Sequence, residues 1–313
     1  MSLLLVLLAL AAGVGAAYLW LLLNLGAGPP RERVPGQAYR IGASWVYRLP
    51  AATNEPAVTL VAVHGFLQSP AYFTGLYPCQ ADMEVILVGS GDYHSVLTAD
   101  RVETPSWGTR PDAPLGTIAH DATVLRQGVR HLARGRQLWV HGHSRGGAVA
   151  VEAGRQGPSL FRHARFLLEA PVLPDAALFR PLPRGVLAAV PWLLPLWQRE
   201  PINQYIRPAL GRLGDERKRR LMEAMPRNPK RALTVIRNVA DIQRWMRCHQ
   251  PGIMANLPEV IVVTTGRDRI LDTERMERSA QAGGDHVHVT RLRAPSHFIS
   301  LDQPGTVQDV ISA

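Results

Sequence analysis

The sequence predicts an α/β fold, a mostly parallel sheet flanked by helices. Two observations carry this. Short runs of β-branched and aliphatic residues at 58–64 (VTLVAVH), 84–89 (EVILVG), 137–141 (QLWVH), 165–170 (RFLLEA), 259–265 (EVIVVTT) and 286–292 (HVHVTRL) alternate with helical periods. Several runs are apolar almost throughout, as strands covered on both faces must be, whereas a sheet with one wet face alternates polar and apolar residues. Between two of them Ile118, Ala122, Leu125, Val129 and Leu132 recur at steps of four and three, the apolar face of a helix lying on a sheet. Strands alternating with helices imply right-handed crossovers and parallel pairing. No internal repeat interrupts the pattern.

At 313 residues and 46% hydrophobic, the chain suffices for one large α/β domain with an insertion, or for two domains, and disorder is excluded. The formal charge of +10 rests on 33 arginines and 2 lysines spread along most of the chain, so it reads as composition, and no nucleic-acid partner is expected. Cys79 and Cys248 are too few for a disulfide framework and lack metal-ligand spacing; one bridge between them stays open if the body faces an oxidising compartment.

Taken in order, residues 3–25 come first: LLLVLLALAAGVGAAYLWLLLNL carries no charge and would measure about 34 Å as a helix at ~1.5 Å per residue. A hydrocarbon core of ~30 Å is spanned by that length. No Lys or Arg precedes the run, which is also longer than the apolar region of a signal peptide. An uncleaved membrane anchor over residues 1–27 is therefore expected, ahead of a cleaved signal and a buried core helix. Arg31, Arg33, Arg40 and Arg48 all follow the span, so the positive-inside rule favours a cytoplasmic body, with a periplasmic or secreted one as the alternative. Residues 28–38, beginning GPPRERVPG, read as a Gly/Pro linker.

Gly142-His143-Ser144-Arg145-Gly146 follows the strand QLWVH and opens the small-residue helix GGAVAVEAG. A serine in such a strand-to-helix turn projects its hydroxyl at the C-terminal edge of the sheet, and the flanking glycines permit the strained turn. To act as a nucleophile it needs an imidazole to take its proton and a carboxylate to orient that imidazole. Asp268 lies just past the strand EVIVVTT, and His297 lies in the loop after the next strand. Glu169, ending RFLLEA, is the rival acid, while Asp272 is the better placed of the two nearby aspartates to cap a helix. His141, His143, His286 and His288 are expected to be structural. Asp92 and His94 lack a third ligand, so no metal site is expected. The glycines of 88–91 form no dinucleotide fingerprint, and no cofactor is expected.

These stretches, VHGF, GHSRGG, GRDRILD and SHFISLDQP, resemble the α/β-hydrolase superfamily over residues 58–170 and 258–313. The order Ser144, Asp268, His297 is the one that fold requires. The resemblance implies an α/β-hydrolase fold with Ser144 as nucleophile, His297 as base and Asp268 as acid. It also implies an oxyanion hole made by the backbone N–H groups of Phe66 and Arg145, with His64 propping the loop that carries Phe66. The stretch 173–256 would form a helical cap between two halves of the core, 39–172 and 257–313. Within it, Trp192, Leu193, Leu194, Leu196 and Trp197 would line an acyl pocket, meet lipid or pack the cap down. Arg212, Arg217, Lys218, Arg219, Arg220, Arg227, Lys230 and Arg231 would form a solvated helix face or meet anionic lipid. The expected function is a membrane-anchored serine hydrolase of carboxylic esters, with an apolar acyl or alcohol part as partner substrate. An acyltransferase using the same triad and a non-catalytic ligand-binding protein are the alternatives.

Overall fold

The computed structural model describes residues 3–24, 31–77, 81–93, 95–178, 210–211, 218, 221 and 229–312. Its centre is a nine-stranded sheet of β1 (Glu32–Ile41), β2 (Ser44–Leu49), β3 (Val58–Val63), β4 (Met83–Gly89), β5 (Leu97–Glu103), β6 (Gln137–His143), β7 (Ala164–Glu169), β8 (Glu259–Thr265) and β9 (Val287–Leu292). The spatial order is β5-β1-β2-β4-β3-β6-β7-β8-β9. Only β2 runs against its neighbours, antiparallel to β1 and β4; every other pairing is parallel.

All six expected strands form. Three more, β1, β2 and β5, were not foreseen, and for β1 and β5 the physical reason is plain. Strand β1 begins at Glu32, inside the stretch expected to be linker, so the sheet starts seven residues earlier than the expected domain boundary. Pro35 and Gly36 disguise it, and they sit where its pairing with β5 shifts register between Val34 and Gln37. Bulges and edge-side positions are where a sheet tolerates such residues. Strand β5 is an edge whose residues 100–103 are all exposed, so it carries no buried run to betray it.

The helices are α1 (Leu3–Asn24), α2 (Ala71–Thr74), α3 (Ile118–Leu132), α4 (Arg145–Gln156), α5 (Pro229–Cys248), α6 (Thr273–Gln281), α7 (Ile299–Asp302) and α8 (Pro304–Ser312). Alternate residues along a strand feed opposite faces of the sheet. On one face Val61, Val63, Ile86, Val88 and Val140 join Ile118, Leu125 and Val129 of α3, Val149 of α4 and Met276 of α6. On the other, Leu60, Ala62, Val85, Leu87 and Trp139 join Tyr72 and Phe73 of α2, Leu301 of α7 and Val307 of α8. The helix starts follow capping chemistry. Thr117 accepts from the His120 amide at 3.2 Å, and Asp272 accepts from the Arg275 amide at 3.0 Å, the role expected of it.

Helix α1 is unbroken, and none of its window Leu3–Trp20 is buried, unlike a core helix; by length and composition it suffices to cross a membrane. In the insertion between β7 and β8, α5 packs over the start of α3. The Ile118 amide donates to Asp241 at 2.7 Å, and Asn238 donates to the Gly116 carbonyl at 2.6 Å. The five aromatic and aliphatic residues from Trp192 to Trp197 lie outside the described residues. So does Cys79, while Cys248 at the end of α5 is exposed.

Leu125 is fully buried where α3 meets the sheet, whereas Leu233 on α5 is 59% exposed. Leu125→Ala is expected to lower unfolding free energy by roughly 2–5 kcal/mol. Leu233→Ala should change it by less than about 0.5 kcal/mol. Urea unfolding of the two variants checks the contrast.

Candidate active site

The turn between β6 and α4 holds Ser144 at φ 54°, ψ −120°, a left-handed conformation that a residue with a side chain adopts only under constraint. The constraint is visible. The Ser144 amide donates to the Glu169 carbonyl at 2.9 Å, and its own carbonyl accepts from the amides of Gly147 and Val172, each at 2.9 Å. Helix α4 also presses hard on β3. A Cβ on Gly146 would stand 2.0 Å from the Val63 carbonyl oxygen, so glycine is required two residues past the serine. The segment after β3 lies directly against the serine, since a Cβ on Gly65 would stand 2.9 Å from the Ser144 Cβ.

That segment is pinned on both sides of Phe66, which packs partly buried against the α3 and α4 face of the core. The Gly65 amide donates to Gln68 Oε1 at 3.0 Å, and the Leu67 amide donates to the Tyr93 hydroxyl at 3.3 Å. His64 contacts the Gly65 carbonyl through Nδ1 at 2.9 Å and accepts from the Ser90 amide at Nε2, at 3.0 Å. This pattern assigns the proton to Nδ1 of a neutral ring, and burial accordingly pushes His64 down to about 4. Propping the loop is the role expected of it. Arg145 sends its guanidinium away from its backbone, to Asp121 Oδ2 at 2.6 Å and Ser90 Oγ at 3.3 Å. Asp121 is a site residue that sequence reasoning missed, because nothing in its spacing marks it as the buried partner of an arginine 24 residues later.

On the acid and base side, His297 is 1% exposed and its Nδ1 lies 2.6 Å from Asp268 Oδ2. The second oxygen, Oδ1, accepts from the amides of Ile270 at 2.7 Å and Leu271 at 2.9 Å. Burial works against this carboxylate, but the His297 contact and the two amides outweigh it and hold the Asp268 carboxyl below its usual range. His297 Nε2 has no hydrogen-bond partner among the described residues, Ser144 included. The structure therefore brings Asp268 and His297 into contact and sets His297 beside the serine turn. His143 makes that link: its ring stands 4.9 Å from the His297 ring, and its Nε2 lies 3.1 Å from the His297 carbonyl oxygen. Its Nδ1 lies 2.9 Å from Gln68 Oε1, joining the Phe66 loop to the His297 loop through one imidazole.

Glu169, the rival acid, makes no hydrogen bond or ion pair with the His297 ring among the described residues. It is fully buried and takes four donors: Tyr72 Oη at 2.6 Å, the Ser300 amide at 2.7 Å, Ser300 Oγ at 2.5 Å and His141 Nε2 at 3.1 Å. His141 in turn meets the Tyr77 hydroxyl at 2.6 Å, and the Tyr72 ring stacks on His143 at 4.5 Å. Glu169 thus fastens β7 to the segment three residues past His297. None of these pairings was foreseen, since the partners come from three separate stretches of chain.

Burial opposes ionisation of Glu169, yet the neighbouring imidazoles and Ser300 overcome it and hold the carboxyl at about 2, against an ordinary 4.5. A folded-state value depressed in this way adds stability above the unfolded value, and that stability is lost as pH falls from about 4.5 towards about 2. Glu169→Gln sets an amide N–H₂ against donors. It is expected to lower stability at neutral pH by roughly 1–3 kcal/mol and to flatten the acid slope. Urea midpoints between pH 3 and 7 test both effects.

Comparison with known proteins agrees with this architecture. An esterase from Exiguobacterium antarcticum aligns with a TM-score of 0.65 at 11% identity, covering 88% of this chain and 98% of its own. Est816, described as an N-acyl homoserine lactone degrading enzyme, aligns at 0.59 with 15% identity over 88% and 98%. A lipase-esterase related protein from Clostridium acetobutylicum ATCC 824 aligns at 0.57 with 12% identity over 85% and 98%. At such identities the likeness concerns the fold. No curated protein matches the sequence. The model of the alpha/beta hydrolase family, however, matches residues 60–310, and with that span of matching sequence on a mostly parallel nine-stranded sheet, the chain belongs to the alpha/beta hydrolase family.

Proposed function

We propose that the protein is a membrane-anchored serine hydrolase that cleaves carboxylic esters with an apolar acyl or alcohol part. The observation that carries this reading is the 2.6 Å contact between Asp268 and His297 beside a serine held at φ 54°. With Asp268 Oδ1 occupied by two amides, Oδ2 is left for the His297 Nδ1 proton, which leaves the Nε2 lone pair to act as base. Ser144 Oγ attacks the ester carbonyl as His297 Nε2 takes its proton. The backbone N–H groups of Phe66 and Arg145 hold the resulting oxyanion. Collapse expels the alcohol, which takes the proton from His297. Water, deprotonated by the same imidazole, then attacks the acyl-enzyme and restores Ser144.

A fluorophosphonate probe is expected to label the full-length protein at Ser144 and to leave Ser144→Ala unlabelled. Asp268→Asn should remain folded while kcat falls by a factor on the order of 10³–10⁴. A chain-length series of p-nitrophenyl esters should show its highest kcat/KM on the longer acyl groups. Labelling that persists in Ser144→Ala would move the nucleophile elsewhere. Acyl transfer to an added alcohol that outpaces hydrolysis would favour the acyltransferase alternative.

Membrane attachment rests on residues 3–25, and a cytoplasmic body on Arg31 and Arg33 immediately after them. The full chain should stay with membranes through a carbonate wash, and deletion of residues 1–28 should release the body. A fluorescent reporter fused after Ala313 should be active, and an export-dependent phosphatase in its place silent. Recovery of a mature chain beginning near Ala17 would indicate a cleaved signal instead.

A further inference from the structure

The run Glu216-Arg217-Lys218-Arg219-Arg220 was expected to form part of a basic face turned to solvent or lipid. Lys218 does neither, because its side chain is 1% exposed. A buried ammonium persists only where its three N–H donors and its charge are answered. Here Nζ donates to the Leu210 carbonyl at 2.7 Å, to Ser296 Oγ at 3.3 Å and to Asp302 Oδ1. Ser296 Oγ completes the knot by donating to Asp302 Oδ2 at 2.6 Å and accepting from the Phe298 amide at 3.2 Å. Ser296 and Phe298 are the two chain neighbours of His297.

Packing supports the same connection. Leu210 and Leu221 of the insertion are buried in the apolar cluster that holds Ala294, Phe298 and Ile299. Gly211 lies so near that a Cβ would stand 2.8 Å from the Ser296 Cβ. The chain uses lysine twice against 33 arginines, and one of the two stands here. A compact ammonium meets three converging acceptors among the described residues, where a planar guanidinium would require a flat fork.

We propose that Lys218 is a positioning residue for His297, coupling the segment inserted between β7 and β8 to the catalytic base through Ser296 and Asp302. The role rests on the serine-hydrolase reading above. Other charged or titratable groups face His297 from the surrounding elements: Asp268 after β8, His143 at the end of β6, and Glu169 of β7 through Ser300. Removing the ammonium of Lys218 or the carboxylate of Asp302 changes the charge beside the His297 segment, with opposite sign.

The experiment compares full-length wild type, Lys218→Met, Lys218→Arg, Asp302→Asn and the Lys218→Met/Asp302→Asn double variant on p-nitrophenyl butyrate. Lys218→Met should lower kcat by about tenfold to a hundredfold, the scale of a misplaced catalytic group, with KM within about twofold of wild type. The acid limb of its kcat/KM profile should move to higher pH as Asp302 loses its counter-charge, and that of Asp302→Asn to lower pH. The double variant should recover the wild-type limb while kcat stays low, and Lys218→Arg should keep the limb but not the full kcat. A folded Lys218→Met with wild-type kcat and pH limb overturns the proposal. If Lys218→Met does not fold, an unmoved limb in Asp302→Asn overturns it equally. NMR titration of histidine-labelled full-length protein, with the His297 signal identified by its loss in His297→Gln, gives a readout without turnover. A shifted His297 titration in a wild type and variants that cleave no ester would reject the hydrolase reading alone, and an unshifted one would reject the positioning role.

Discussion

The close approach of α4 to β3 at Gly146 sets the geometry on which the rest of the site depends. The Val63 carbonyl leaves no room for a side chain there, and glycine at that position lets α4 start directly beyond β6 with Ser144 at φ 54°. The same turn makes Arg145 the first residue of α4, with its amide at the positive end of the helix, where negative charge is favoured. It also brings His143 under the His297 loop. A strained residue costs on the order of 1–3 kcal/mol, and it persists because three backbone hydrogen bonds at Ser144 and a dry core around α4 over-determine it.

Beneath the turn lie buried carboxylates, and each is answered. Asp121 faces Arg145, Asp302 faces Lys218, Asp268 faces His297 and two amides, and Glu169 takes four donors. Buried ion pairs contribute little net stability compared with apolar packing, but removing one partner is costly, so they favour a single arrangement over near alternatives. Two carboxylates flank the His297 segment, and their partners separate their work. Asp268 meets the imidazole, whereas Glu169 meets the backbone and hydroxyl of Ser300 three residues later. Distance in sequence from His297 would not have distinguished them.

Much of the architecture was legible in the sequence because it is written in short windows. Apolar runs with no polar face implied parallel strands covered on both sides, and the four-and-three spacing from Ile118 to Leu132 implied the helix that covers one of them. The elbow around Ser144 was legible for a similar reason: glycine at two defined offsets is a backbone requirement of that turn. Of the strands that escaped notice, β1 and β5 lie towards one edge, where a Pro-Gly bulge and exposed charged residues replace the buried run that marks an inner strand.

What the sequence determined by itself, then, was the set of elements, the serine turn and the order of the candidate residues, since each depends on neighbours a few positions apart. What only the tertiary structure decided was partnership. Asp268 rather than Glu169 meets His297, Asp121 pairs with Arg145, and Lys218 leaves a run of arginines to become buried against Ser296 and Asp302. These choices join residues 24 to 84 positions apart. Their energies come from desolvation and from the number of donors that converge on a buried charge, quantities that exist only once the sheet has brought distant segments together.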